Sequence, residues 1–510
     1  MTLRHLPYAL AVLLASGCAG RNAPATRPPD VPRTAAPAAA KPGSHVTALR
    51  RDLTAVFSAP IMERGSWAVD VRSLDTGEEI YALDAQRLMM PASNMKILTT
   101  AAAAEVLGWN YRFATALETS APIEAGVLKG DLFIRGTGDP TINSREGRAL
   151  AILAEWTTAL RALGIVQIDG RIVGDDQAFD DEGIGQGWAW DYLQFGYAAP
   201  VGALEFNENM AALVVRPGAQ PGESAQATLS AGAGLRVVSR VRTVAAGAEA
   251  AIGYRRRLDE PVLEVSGTIA AGAPAEERTV AVVNPTLFFA QSVKDALIAR
   301  GVAVAGDAVD IDDIAAELAT QPAARRVLAS TTSPTLAAIA TVLMKVSQNL
   351  YAETLVKTVG AARGGLGTFE GGSAAIRSTL ASWGIPDDGY VIADGSGLSR
   401  YNYVTASTLT TVLERMYKDA KHRDAFMATL PVAGKDGTVT GRMRRTRAEG
   451  NAAAKTGSIS NVRALSGYVR TRDGEMLVFS ILANDFVIPS ATVTWIADLA
   501  VEHLANFTRR

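Results

Sequence analysis

The chain has 510 residues, of which 48% are hydrophobic and 20% charged, with 50 Lys and Arg against 52 Asp and Glu and a formal net charge of −2. A chain of this length exceeds one ordinary core, so we expect two or three domains. The near balance of charge gives no support to a nucleic-acid partner. Cys18 is the only cysteine, which excludes a disulfide framework, a cysteine nucleophile in the rest of the chain and a thiolate metal site.

The start of the chain has the composition of a targeting segment followed by a tether. Basic residues precede an apolar run at residues 6–14 that is too short to span a bilayer, which is typical of a signal peptide over residues 1–18. Residues 15–18 resemble a bacterial lipobox, so we expect lipidation of Cys18, with plain secretion as the alternative. Residues 19–44 are rich in Pro and Ala and predict a disordered tether.

The first motif with chemical content lies at the start of a predicted helix. Pro91 opens an apolar stretch that ends near Gly108, with Ser93 in its first turn and Lys96 three residues later on the same face. The helix dipole stabilises a developing alkoxide and lowers the pKa of a nearby lysine. A neutral Lys96 can then accept the proton of Ser93. Taken alone, the pattern would be read as a capping serine and a solvated lysine.

A long interruption follows this motif. Ser93 and Ser347 are 254 positions apart (347 − 93), and the intervening sequence has short strand-like segments separated by glycine turns. Alternating Ala, Gly, Thr and Val residues predict an inner all-β module at about 212–275. We therefore assign 45–115 and 323–510 to a catalytic domain and 116–322 to inserted domains.

The second motif is Ser347-Gln348-Asn349, in a stretch with helical periodicity from Leu336 to Thr358. A serine hydroxyl here can relay a proton to a leaving group, and the Asn349 amide can orient a substrate backbone. Polar residues on the surface of a helix are the alternative interpretation.

The third motif, Lys455-Thr456-Gly457-Ser458, precedes two segments, 464–469 and 476–482, that alternate like paired strands. A peptide can lie along the edge of such a strand. Lys455 offers a positive charge for a terminal carboxylate, and Thr456 and Ser458 offer hydroxyl donors. The backbone amides of Ser93 and Ser458 are candidates for an oxyanion hole.

The three motifs in this order resemble active-site serine enzymes that act on D-Ala-D-Ala peptides or β-lactams. The chain is similar to the D-alanyl-D-alanine carboxypeptidase/endopeptidase family of the penicillin-binding protein 4 type (serine peptidase family S13). Gln348 departs from that pattern, because an Asp often stands between the Ser and the Asn. Further similar stretches are Tyr197–Leu204, Phe206–Asn209, Asn349–Glu353, Asp394–Arg400 and Pro431–Thr438.

This resemblance implies an α/β transpeptidase (β-lactamase-like) fold that is split by a large, mostly β insertion of one or two domains. It implies catalytic roles for Ser93, Lys96, Ser347, Asn349 and Lys455, and it requires no cofactor or metal. The implied substrates are peptidoglycan stem peptides, with β-lactam antibiotics as covalent inhibitors. A periplasmic location, with a membrane anchor through Cys18, fits the targeting segment.

Three other classes of protein fit the sequence less well. A β-lactamase shares the motifs but has a shorter chain, and the long insertion argues against it. A catalytically weak wall-binding protein would tolerate loss of Ser93 or Lys455, and both are present. The sequence lacks the histidine patterns of a metallohydrolase or a Ser-His hydrolase, because its four histidines form no metal-binding motif and no evident pair with a serine.

Overall fold

The computed structural model describes residues 43–320 and 324–509. The predicted signal peptide, Cys18 and nearly all of the predicted tether lie outside these residues. The first helix begins at Ser44, the last residue that was assigned to the tether. Among the described residues, no helix combines the length and the apolar character needed to cross a membrane.

The described part of the chain contains α-helices and β-strands in a mixed order. The helices are α1 Ser44–Phe57, α2 Met95–Leu107, α3 Arg148–Ala162, α4 Pro285–Ala299, α5 Ala315–Thr320, α6 Leu336–Lys345, α7 Asn349–Ala361, α8 Phe369–Ser382, α9 Ala406–Lys418, α10 Arg423–Thr429 and α11 Ser490–Asn506. The strands up to the end of the insertion are β1 Ser66–Ser73, β2 Glu79–Leu83, β3 Ala114–Thr119, β4 Ile123–Glu124, β5 Val127–Leu128, β6 Leu132–Gly136, β7 Gln167–Ile168, β8 Ile172–Asp175, β9 Met210–Arg216, β10 Gln226–Leu229, β11 Arg236–Val244, β12 Ala251–Arg256, β13 Val262–Ala270, β14 Glu276–Ala281, β15 Ala303–Val304, β16 Ala308–Asp310 and β17 Arg326–Thr332. The later strands are β18 Tyr390–Val391, β19 Tyr403–Val404, β20 Ala453–Ile459, β21 Val462–Arg470 and β22 Met476–Asn484.

The two ends of the described chain meet in one antiparallel sheet with the strand order β2-β1-β22-β21-β20. Helices α1 and α11 cover one face of this sheet. Helix α9 and the turn before α2 pack on the other face, and α7 and α8 pack against α2. All nine residues of β22 are buried because helices cover both faces. This α/β core confirms the predicted fold class, and it holds the third motif at an edge of the sheet on β20.

The insertion contains two kinds of structure. Helices α3 and α4 pack beside a five-stranded sheet with the order β16-β8-β6-β3-β17, so this part is mixed α/β. Strands β9 to β14 form two three-stranded sheets over residues 210–281, close to the all-β module expected at 212–275. Strands outnumber helices in the insertion, as expected, and the apolar faces of α3 and α4 pack with strand residues in one core.

The pairing of β17 with β3 indicates where the inserted domains end in the sequence. β17 completes the inserted sheet although residues 326–332 were assigned to the catalytic domain. Its partner β3 follows the catalytic helix α2 directly, so the chain leaves and re-enters the catalytic core through adjacent strands. We propose that the second junction lies near Thr332 instead of residue 322.

Candidate active site

Ser93 lies in a tight turn at the start of α2, where a short 3-10 segment over Ala92–Asn94 precedes the helix. Ala92 adopts a positive φ of 45°, a conformation that is costly for a residue with a side chain and that marks a constrained turn. Lys96 Nζ donates to Ser93 Oγ at 3.0 Å. The predicted nucleophile and base are thus in hydrogen-bond contact.

Lys96 is fully buried, and its amine has three hydrogen-bond acceptors. Besides Ser93, Nζ donates to Asn349 Oδ1 at 2.6 Å and to the carbonyl of Ser396 at 2.7 Å. Burial lowers the pKa of Lys96 from 10.5 to about 7, against the raising effect of the carboxylates of Asp394 and Glu353. A substantial neutral fraction near neutral pH is what a general base requires.

The chain breaks its helix at the second motif. The sequence predicted one helix from Leu336 to Thr358, whereas α6 ends at Lys345 and α7 begins at Asn349. Ser347 lies between them with a φ of 63°, in the left-handed region. This prediction was wrong because periodicity reports the buried face on either side of a break and does not report the break itself.

The break places Ser347 beside the third motif. Lys455 Nζ donates to Ser347 Oγ at 2.8 Å and to the carbonyl of Thr456 at 2.7 Å. Lys455 is fully buried, and its pKa is lowered well below the ordinary value by burial and by the charge of Lys96. Two buried amines with lowered pKa values therefore serve two serine hydroxyls in one site.

Asn349, the first residue of α7, connects the core to the insertion. Its Oδ1 accepts from Lys96, and its Nδ2 donates to the carbonyl of Tyr197 at 2.7 Å. The neighbouring Gln348 donates from Nε2 to Glu208 Oε2 at 2.7 Å. Residues of the insertion thus fix the second motif from one side.

Gly457 explains why the strand of the third motif passes so close to the nucleophile. A Cβ at this position would lie 2.6 Å from the carbonyl oxygen of Pro91 and 3.2 Å from the Cβ of Ala92. Only glycine allows this approach. Thr456 and Ser458, on either side of it, face an open cleft instead.

Two buried acids near Lys96 were not recognised from the sequence. The Glu353 carboxylate accepts the backbone N–H groups of Gly395 and Ser396 at 2.9 and 2.8 Å. Asp394 accepts from the backbone of Gly397 and Ser399, both at 2.6 Å. The acids hold the loop whose Ser396 carbonyl binds Lys96.

One signal in the sequence marks this loop, the glycine-rich run at 394–400, which by itself predicts a surface turn. The structure buries the loop, and Trp188 of the insertion donates from Nε1 to Asp394 Oδ2 at 2.9 Å. Gly397 has a φ of 83°, and a Cβ there would lie 1.8 Å from the carbonyl oxygen of Ala92. The loop therefore packs directly on the turn that carries Ser93.

An open cleft of about 680 Å³ lies over these groups. It is lined by Ser93, Tyr192, Tyr197, Ser347, Asn349, Gly397, Leu398, Thr438, Thr456, Ser458, Ile459, Ser460, Asn461, Arg463 and Ser490. Two hydrogen-bonded groups lie at its base: Lys96 with Ser93 and Asn349, and Lys455 with Ser347. Gly457 packs against the turn that carries Ser93. Of the residues singled out from the sequence, only Cys18 lies outside the described residues.

Comparisons with known proteins give matches over most of the chain. The profile of the D-Ala-D-Ala carboxypeptidase 3 (S13) family matches residues 49–503. A D-alanyl-D-alanine carboxypeptidase of Actinomadura sp. (strain R39) is 36% identical over 455 residues, covering 87% of this chain and 82% of that protein. The D-alanyl-D-alanine carboxypeptidase DacB of Haemophilus influenzae is 30% identical over 422 residues, covering 81% of this chain and 84% of the relative.

The fold comparison leads to the same family. The crystal structure of penicillin binding protein 4 (dacB) from Haemophilus influenzae superimposes with a TM-score of 0.75 at 26% identity, covering 91% of this chain and 99% of that structure. The profile match spans both the motifs and the insertion. The chain belongs to the D-Ala-D-Ala carboxypeptidase 3 (S13) family of serine peptidases.

Proposed function

We propose that the protein is a serine D-Ala-D-Ala carboxypeptidase that acts on peptidoglycan stem peptides through an acyl-enzyme on Ser93. The observation that carries this proposal is the contact of Lys96 Nζ with Ser93 Oγ in a site where burial lowers the pKa of Lys96 to about 7. The names of the relatives supply the substrate class.

In the acylation step, neutral Lys96 takes the hydroxyl proton of Ser93 as Oγ attacks the carbonyl carbon of the penultimate D-Ala. The backbone N–H groups of Ser93 and Ser458 are assigned to the oxyanion that forms. Asn349 holds Lys96 through Oδ1 and is fixed in turn by the Tyr197 carbonyl, so the base has one orientation.

The second lysine serves the leaving group. When the tetrahedral intermediate collapses, the departing amine needs a proton, and Ser347 Oγ can supply it while receiving one from Lys455. Before deacylation, protonated Lys96 must lose its proton and Lys455 must regain one, which exchange through the water of the open cleft allows. Water then attacks the acyl carbonyl as neutral Lys96 takes its proton, and Lys96 returns that proton to Ser93 Oγ when the shortened peptide leaves. The same steps cleave a D-Ala cross-link, so DD-endopeptidase action is part of the proposal.

The carboxylate of the substrate is assigned to Thr456 and Ser458, whose side chains line the cleft. Lys455 was expected to contact this carboxylate, but its amine is buried against Ser347 and Thr456. We therefore propose that Lys455 acts mainly on Ser347, and that Thr456 and Ser458 make the direct contacts.

Labelling with fluorescent penicillin tests the nucleophile. The native chain should be labelled covalently, and Ser93→Ala should not be labelled because it has no attacking oxygen. Ser460→Ala is the matched control, since Ser460 is an exposed serine that lines the same cleft. Labelling of the Ser93→Ala chain would remove Ser93 from its role.

Two further assays define the reaction. Digestion of monomeric and cross-linked muropeptides should release D-Ala from the first and, where endopeptidase action holds, monomers from the second. The lifetime of bound penicillin separates a peptidase from a β-lactamase, because a β-lactamase regenerates free enzyme within seconds. Rapid loss of the label with hydrolysed penicillin as the product would favour the β-lactamase.

We further propose export to the periplasm with a lipid anchor on Cys18, on the basis of the apolar run and the lipobox-like residues that precede it. Metabolic labelling with a radioactive fatty acid should mark the wild-type chain and not Cys18→Ala. The variant should also move from the membrane fraction to the soluble fraction. Membrane association that is unchanged in Cys18→Ala would refute the anchor.

A further inference from the structure

Arg463 lies directly beside the groups assigned to the carboxylate of the substrate. It pairs with Ser458 across the β20–β21 ladder, and Thr456 pairs with Leu465 two residues along. Directly paired residues of an antiparallel sheet present their side chains on the same face, about 5 Å apart at Cβ. Arg463 therefore shares a face with Ser458 and Thr456.

This face carries a second cavity of about 300 Å³ that borders the active-site cleft. Thr438, Thr456, Ser458 and Arg463 line both spaces, so the two meet at the edge of β20. The inner wall of the second cavity is largely apolar and includes Leu465 and Ile481. A substrate group that enters the second cavity past Ser458 would be shielded from water by the apolar wall and would face the guanidinium of Arg463.

The charge of Arg463 is not matched by an acid. Its Nη1 donates to the carbonyls of Ile459 and Val462 at 3.0 and 2.7 Å, and no carboxylate of the described residues lies within ion-pair distance. Arg442 lines the same cavity but is paired with Asp498 at 2.7 Å. Burial, followed by the charge of Arg442, lowers the pKa of Arg463. A half-buried cation without a counter-ion gains free energy when an anion binds.

We propose that Arg463 binds the carboxylate of the departing residue, in a leaving-group subsite formed with Thr456 and Ser458. The inference rests on the proposed function, which places that carboxylate at Ser458. The two carbonyl contacts hold the guanidinium in one orientation and leave its other N–H donors available for a planar carboxylate. The adjoining cavity gives room for a leaving residue with a side chain larger than that of D-Ala, as in a cross-link.

Two thioesters of the same N-acyl-D-Ala donor isolate this contact. One has mercaptoacetate as the leaving group and carries a carboxylate, and the other has mercaptoacetamide and carries none. For Arg463→Gln, kcat/KM should fall by about 10- to 100-fold with the mercaptoacetate ester and by less than about three-fold with the mercaptoacetamide ester. Arg463→Lys should retain part of the preference, because it keeps the charge without the planar fork.

Arg470→Gln is the matched control. Arg470 lies at the other end of β21, is exposed, and donates from Nη1 to the carbonyl of Gly474 at 2.9 Å, so its replacement also removes an arginine–carbonyl contact at a hairpin. Its preference for the carboxylate ester should equal that of the native chain.

The outcomes separate the inference from the proposed function. A native chain that neither turns over a thioester nor is labelled by penicillin refutes the proposed function, and the inference with it. A native chain that does both, together with an Arg463→Gln variant that keeps the preference or loses both activities equally, overturns the inference alone. Selective loss with the carboxylate ester supports it.

Discussion

The acylation rate should depend on pH through Lys96, and the size of the effect follows from the site. Burial lowers the pKa of Lys96 from 10.5 to about 7. At pH 7.5 about three-quarters of the amine is then neutral, against about one-thousandth for an ordinary lysine. This lowering of the pKa corresponds to about 5 kcal/mol and makes about 750 times more neutral amine available. The fold provides this gain by enclosing Lys96 among Ser93, Asn349 and Ser396.

The assay is the second-order rate of labelling by fluorescent penicillin between pH 5 and pH 9. Below the pKa the logarithm of the rate should rise with unit slope, and it should level off above about pH 7 as the neutral amine becomes the main form. Lys96→Arg should lower the rate by about 10³-fold or more, because guanidinium stays protonated and cannot take the proton of Ser93. Lys129→Arg, at an exposed lysine paired with Asp169, is the control and should leave the rate unchanged.

Two results would refute this reasoning. A rate that is flat from pH 5 to pH 9, or that rises only near pH 10, would mean that the neutral form of a buried lysine does not control acylation. An inflection near pH 7 that survives in an active Lys96→Arg variant would show that a group other than Lys96 is the base.

Three other variants test the surroundings of the site. Gly397→Ala should lower the labelling rate about 10-fold or more, because its Cβ would clash with the Ala92 carbonyl. Gly474→Ala is the control, since Gly474 has a φ of 95° and open space around it, so the change imposes similar backbone strain without a clash. Equal labelling rates in the two variants would contradict the packing argument. Burial, followed by the charge of a neighbouring acid, raises the pKa of Glu353 to about 7, so the folded protein keeps a proton that the unfolded chain releases. The free energy of unfolding should therefore fall by up to about 3 kcal/mol as pH rises from about 4.5 to about 7. In denaturant unfolding, Glu353→Gln should abolish this contribution to the pH dependence, and an unchanged pH dependence would exclude Glu353 as its source. Thr456→Val should lower kcat/KM for a peptide with a free terminal carboxylate, measured by D-Ala release, by a factor that corresponds to a loss of about 1–3 kcal/mol in transition-state binding. An unchanged kcat/KM would mean that the Thr456 hydroxyl does not recognise the carboxylate.

Local patterns in the sequence were sufficient for the elements whose contacts are local. The contact of Ser93 with Lys96 follows from a spacing of three residues in a helical turn. The motif at Lys455 was likewise found on a strand. These features depend on residues close together in the chain, where periodicity is informative.

Contacts between distant segments could not be read in this way. The conformation of Ser347 is tied to Lys455, which lies 108 residues further on, and the helical pattern on both sides hides the break. The pairing of Glu353 with the loop at 395 and 396 likewise appears only after α7 and that loop are packed together. The position of β17 was missed because a strand shows its partner only through long-range register.

The two lysines also explain how one site can both remove and return a proton. Burial and, after it, the charge of Lys96 lower the pKa of Lys455, so a proton that moves from Ser93 to Lys96 makes Lys455 a stronger acid. Lys455 bonds Ser347, so on the proposed mechanism that acidity is available to the leaving amine when it is needed. The carboxylates of Asp394 and Glu353 act on Lys96 in the opposite direction and keep its pKa from falling further. On the proposed mechanism, acylation thus prepares the protonation of the leaving group through the electrostatic coupling of two buried amines.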